Sequence, residues 1–259
     1  MNHSGAESNQ RAAVEVTKDK NGIEQVILQN TRGASVRVSL HGGQILSWRT
    51  DRDEELLFTS SKAIFKPPQA VRGGIATCFP QYGSRGLLEQ HGFARIKIWV
   101  FDENPPPLHP NDSNGKAYTD LLLKPSEEDL KAWPHSEVRI EGLETLDYLD
   151  NLCEKQRFTE QGDALTFESE VDRVYLSSSD VIAVFDHEKK RTFTIQKQGL
   201  PDVGVWNPWE KKSKSIVDFG DEEYKKMLCI DGAAVEKPIT LKPGEEWTGR
   251  LELTTVPST

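Results

Sequence analysis

The chain has little cysteine, no long apolar run and a shortage of positive charge, and each scarcity excludes something. Its three cysteines, Cys78, Cys153 and Cys229, are odd in number, far apart and without a C-x-x-C pair. Neither a disulfide framework nor a metal site is indicated, and a reducing compartment is expected. No stretch approaches the ~18 consecutive apolar residues of a membrane span, and the opening MNHSGAESNQRAA has no apolar core of the kind a secretory signal needs. The expected address is the cytosol, with no membrane partner. Lys and Arg number 32 against 41 Asp and Glu, a net charge of −9, which disfavours nucleic acid as a partner and suits a self-repelling monomer. Helix signals are also few: KKSKSIVDF and DEEYKKML each offer a turn or two, the second with acids first and lysines last as the helix dipole prefers.

What the chain does have is alternation. In VEVTKDKNGIEQVILQN, Asn21-Gly22 between two β-rich runs predicts a hairpin through a type I′ turn. In GASVRVSL, Val36, Val38 and Leu40 share one face of a half-buried antiparallel strand. ALTFESEVDRVYL, VIAVFD and RTFTIQK read as further strands, with HEKK as a hairpin turn. The prolines of ENPPPLHPNDSN interrupt this pattern, so residues 103–114 are expected to be a loop and residues 1–12 a disordered tail. No repeat is visible, and the 259 residues are read as one all-β domain, an antiparallel β-sandwich with a few short helices.

One segment is too irregular for a helix or a strand. VRGGIATCFPQYGSRGLLEQHGFAR, from Val71 to Arg95, crowds three arginines, a histidine and five glycines together. Arginine offers a rigid fork of donors to phosphate or carboxylate, and glycine lets backbone approach a ligand closely. RGGI and QHGFAR therefore read as the wall of an anion site, with CFPQYG as a rigid floor between them. The alternatives stay open: a glycine bulge with a solvated Arg72, and a surface cluster at Gln90, His91 and Arg95 in which His91 only fixes the loop. Arg85 is read as solvated and Cys78 as structural, since no activating base lies near it in sequence.

Five stretches resemble the hexose-6-phosphate mutarotases, or glucose-6-phosphate 1-epimerases, of the galactose-mutarotase-like group, and the plant members most closely. They are LHGGQILSWR, the Val71 to Arg95 segment, EVRIEGLETLDYLDNLCEKQRFTEQGDALTFESEVDRVYL, VGVWNPWEKK and MLCIDGAAVEKPITLKPGEEWTGRLEL. The resemblance implies a galactose-mutarotase-like β-sandwich that equilibrates the α and β anomers of an aldohexose 6-phosphate in carbohydrate metabolism, without cofactor or metal. It implies substrate-binding roles for Arg72, Gln90, His91, Arg95 and Asp172, and a catalytic base at Asp231, where many relatives have glutamate. Glu236 is a second candidate for the base. For Asp172 the alternative is an ordinary acid paired with Arg173.

The family's acid is a histidine in a motif like YHTYF, and this chain has no such motif. The sequence runs LLLKPSEEDLKAWPHSEVRIEGLET, so a stretch of several strands is expected to be missing at Ser136/Glu137. His135 at that seam is a weak substitute, and His109 and His187 read as solvated. Two functions follow: an anomerase, or a sugar-phosphate-binding variant that keeps the anion wall and has lost the chemistry.

Overall fold

The alternating N-terminal third folds into a meander. The structure, a computed structural model, describes residues 12–84, 88–105, 117–123, 146–161, 165, 167–186, 189–237 and 239–257. The seam at Ser136/Glu137, the tail before residue 12, most of the proline loop, Arg85, His109, His135 and His187 lie outside them. Two units are distinguished, one holding the first six strands and the other the remaining eight.

In the first unit β1 (Ala13–Lys18), β2 (Glu24–Gln29), β3 (Ser35–Ser39) and β4 (Gln44–Arg49) lie side by side in chain order, all antiparallel. Val26 stands opposite Val38, both buried, and Leu40 is buried beyond the strand end. The β1–β2 hairpin is present, but its turn is not type I′. Gly22 is the only turn residue with a positive φ (81°), and its amide donates to the Asp19 carbonyl at 3.0 Å. The Asp19 carboxylate gathers the amides of Asn21 (2.8 Å) and Ile23 (2.9 Å), which closes a three-residue loop with one left-handed residue where type I′ needs two. A short pair, β5 (Val100–Phe101) with β6 (Leu121–Leu122), completes the unit's strands.

The second unit contains β7 (Asp147–Asp150), β8 (Gln156–Thr159), β9 (Val171–Tyr175), β10 (Val181–Asp186), β11 (Arg191–Gln198), β12 (Asp202–Asn207), β13 (Cys229–Ala233) and β14 (Arg250–Pro257). They form a five-stranded sheet, β13-β12-β9-β7-β8, and a three-stranded sheet, β10-β11-β14. Val171, Tyr175, Val203 and Val205 of the first pack with Ile182 and Ile195 of the second, the sandwich core that period-two patterning demands. On the outward face of the smaller sheet Val181 and Phe185 are 52% and 63% exposed, and β10 has a neighbour on one side only among the described residues. The expected helices are short: α1 (Trp209–Ser213) begins ahead of KKSKSIVDF, and DEEYKKML forms one 3-10 turn at Glu223–Lys226. Among the described residues no helix is long and apolar enough to cross a membrane, and the three cysteines are free.

Candidate active site

In the first unit the described residues 71–83 and 88–95 are held by backbone contacts that glycines and two buried glutamines allow. Gly74 has φ 61°, and a Cβ there would lie 2.0 Å from the Ile45 carbonyl oxygen; at Gly73, φ 135°, it would lie 2.4 Å from Thr59 Cα. Gln44 is wholly buried, and its Nε2 donates to the carbonyls of Val71 (2.9 Å) and Gly73 (2.6 Å), bracketing Arg72 on both sides. The Arg72 carbonyl accepts from the Ser60 amide at 3.0 Å, so the backbone that carries the half-buried guanidinium is pinned from two directions.

Gln81 does the same for the second turn. Its Nε2 lies 3.1 Å from the carbonyls of Gly83, Leu88 and Glu89, and its Oε1 accepts from the Leu88 amide at 3.1 Å. The turn ends at His91, whose left-handed backbone (φ 68°) donates to the Gly83 carbonyl at 2.8 Å. Its ring is set edge-on to Tyr82 with centroids 5.6 Å apart, and its Nδ1 accepts the Gly83 amide proton at 3.3 Å. Burial, and then the charges of Arg95 and Arg72, push the His91 imidazole down to about 4. Two guanidiniums thus act on one neutral ring, a cationic cluster suited to an anion. Gln90 meets Arg95 through its backbone. Its side is exposed, and its backbone carbonyl accepts from Arg95 Nη2 at 2.8 Å, so the contact the structure gives it orients an arginine.

In the second unit strand parity does the positioning. Asp172 on β9 stands opposite Trp206 on β12, which stands opposite Cys229 on β13; one row along, Val174, Gly204 and Asp231 are aligned. Residues opposite one another, or two apart on a strand, share a face, so Asp172 and Asp231 lie on one face and the core residues Val171, Tyr175, Val203 and Val205 on the other. The two carboxylates are separated by two strand spacings, about 10 Å, and by one pleat, about 7 Å. Asp172 accepts from Asn151 Nδ2 at 2.7 Å, and Asp231 accepts from the Cys229 thiol at 3.4 Å.

The pairing of Asp172 with Arg173 does not occur, because neighbours on a strand face opposite ways. Arg173 lies 3.2 Å from Glu160 and 3.7 Å from Asp150, with its guanidinium over the Tyr148 ring. Glu236 follows the end of β13 and pairs with Arg157 at 2.8 Å. Among the described residues no group of three His, Cys, Asp or Glu side chains gathers as metal ligands. Gln44, Gln81 and Asn151 escaped the sequence reading. Their partners lie 27, 7 and 21 residues away, and only LHGGQILSWR and CFPQYG hinted at the first two.

Comparison with known proteins adds an independent observation. Residues 24–136 and 129–254 match the family described as Aldose 1-epimerase. A Cenchrus ciliaris protein named "Putative glucose-6-phosphate 1-epimerase" is 53% identical over 291 residues, covering 94% of this chain and 88% of that one. An Escherichia coli protein of the same name is 28% identical over 236 residues, 75% of this chain and 78% of that one. The crystal structure of a "putative mutarotase" from Salmonella typhimurium superposes with a TM-score of 0.77 at 21% identity, covering 94% of this chain and 97% of that one, which supports the fold. The Cenchrus alignment, at 291 residues, is longer than the 259-residue chain, so that relative carries residues with no counterpart here. The family match also comes in two stretches, which overlap at 129–136, beside Ser136/Glu137.

Proposed function

The chain belongs to the aldose 1-epimerase family, and from that premise we propose that it equilibrates the α and β anomers of glucose 6-phosphate in the cytosol, by acid–base opening and closing of the sugar ring. The observation that carries this reading is the 53% identity to the Cenchrus protein across nearly the whole chain, with Arg72 and Arg95 acting on one neutral imidazole.

The residues divide the work. Arg72 and Arg95 compensate the nearly two charges of a phosphate, with His91 in their field and Gln90 orienting Arg95. Asp172, held by Asn151, accepts from sugar hydroxyls. Asp231 takes the proton of the C1 hydroxyl; the C1–O5 bond breaks, its electron pair stays on O5, and O5 takes a proton. The free aldehyde then turns about C1–C2 and the steps reverse on the other face. Neither cofactor nor metal is needed, because only protons move.

A second reading is favoured by the family match in two stretches: a sugar-phosphate-binding form in which O5 is protonated by water alone. Loss of a positioned acid costs about 100 to 10,000-fold in rate. The test is the anomerisation rate of pure α-glucose 6-phosphate, followed by NMR exchange against buffer, beside a binding titration. Acceleration that disappears in Arg95→Ala supports the enzyme; a buffer-level rate with intact binding selects the second reading.

A further inference from the structure

Resting on the sugar-phosphate reading above, we propose that His91 is a permanently neutral hydrogen-bond donor in the anion clamp, fixed as its Nε2–H tautomer, so that the clamp's charge does not vary across the physiological pH range.

The tautomer follows from geometry. The Gly83 amide has one proton and points it at Nδ1, 3.3 Å away, so Nδ1 must present its lone pair and the single ring proton sits on Nε2. Turning the ring over would put Cδ2 where Nδ1 stands and lose that bond, so the hydrogen bond also fixes the ring's orientation. The His91 amide is tied to the same residue, Gly83, through its carbonyl, which makes the pairing reciprocal. A protonated ring would need a proton on Nδ1, directed at the Gly83 N–H, and it would add a third cation to a cluster that already holds Arg72 and Arg95. Among the described residues the groups that act on the ring are those two guanidiniums and the Tyr82 ring, and they oppose a second ring proton or are indifferent to it.

A neutral donor has a use here that a charged one lacks. With His91 uncharged the clamp presents two positive charges from arginines that never titrate, matched to a phosphate dianion. Affinity for glucose 6-phosphate should then follow the ligand's own ionisation alone. It should rise about tenfold from pH 5 to 7, as the phosphate loses its second proton near pH 6, and stay flat from pH 7 to 8. An ordinary histidine would add a cation below about pH 6.5 and withdraw it above, so affinity would fall between pH 6 and 8.

The test has two independent readouts on the full chain. The first is the imidazole NMR spectrum of ligand-free, histidine-labelled protein, with His91 identified by its loss in His91→Gln. A neutral Nε2–H ring from pH 5 to 8 is expected, and a titration midpoint near 6.5 overturns the proposal whether or not any sugar binds. The second is the pH profile of glucose 6-phosphate binding. His91→Asn tolerates the left-handed backbone and can still accept from Gly83 but lacks the outer donor, and should weaken binding about tenfold or more. His91→Gln returns a donor at the Nε2 position and should recover most of that loss. Equal binding by the two variants overturns the donor role. Absence of binding by the wild-type protein at every pH, with the ring neutral, overturns the sugar-phosphate reading and the proposed ligand together.

Discussion

The Val71 to Arg95 loop and the β9-β12-β13 face place functional side chains by opposite means. In the loop, Arg72 and His91 are positioned by their own backbone, which is fixed by Gln44, Gln81 and glycines that admit no Cβ. On the sheet, Asp172 and Asp231 are positioned by ladder register, through the backbone pairing of β9, β12 and β13. Loop support and ligand binding should therefore fail together, while sheet chemistry should be removable with the fold intact.

The largest expected effect is on the sheet. Asp231→Asn should lower the anomerisation rate about 100 to 10,000-fold while leaving glucose 6-phosphate affinity and the urea midpoint nearly unchanged. A midpoint that falls in step with the rate would erase the contrast. Next comes Gly74→Ala, which must move a carbonyl 2.0 Å from the new Cβ and should cost about 2 to 4 kcal/mol in urea unfolding, with binding lost in parallel. Gln44→Ala leaves the buried Val71 carbonyl and the part-buried Gly73 carbonyl without their side-chain donor and should cost about 2 kcal/mol; again the affinity should fall with the stability.

A smaller effect concerns pH. The folded His91 resists protonation down to about 4, whereas the unfolded chain takes up that proton near 6.5. Between those values the unfolded state binds more protons, so stability is lost as pH falls from 6.5 toward 4 and is fully present above 6.5. His41, lowered by burial, contributes in the same direction. Denaturation curves of His91→Gln should show a shallower acid-side loss than wild type. The smallest effect is expected at Cys229→Ala, which removes a weak thiol donor from Asp231 and should change stability by less than about 1 kcal/mol. A shift in the acid limb of the rate profile would mark that thiol as a tuner of the base.

How much of this was legible in the sequence also divides along that line. Period two exposed the strands, because alternation is a local property, whereas Asp172 and Asp231 were marked by the resemblance to the mutarotases. The Asp172–Arg173 pair stayed open in the sequence, although parity applied to adjacent strand residues would have excluded it. Composition marked the loop as a site, yet its supports stayed hidden: a glutamine amide that reaches a carbonyl 27 residues away leaves no local pattern. The Asn21-Gly22 turn shows the same limit at short range, where the Asp19 carboxylate changed the turn type without moving the hairpin.

The β10 strand, VIAVFD, has consequences for the protein's life in a cell and in a tube. It is an uncharged run up to Asp186, open on one side among the described residues, with Val181 and Phe185 facing outward and no proline to interrupt it. Such an edge is a template for one more strand from a neighbour, and the net charge of −9 opposes the approach of further copies. Solubility should therefore depend on ionic strength: added salt screens the repulsion while leaving the edge as adhesive as before, so crowding would set the working concentration of this chain before its folding stability does.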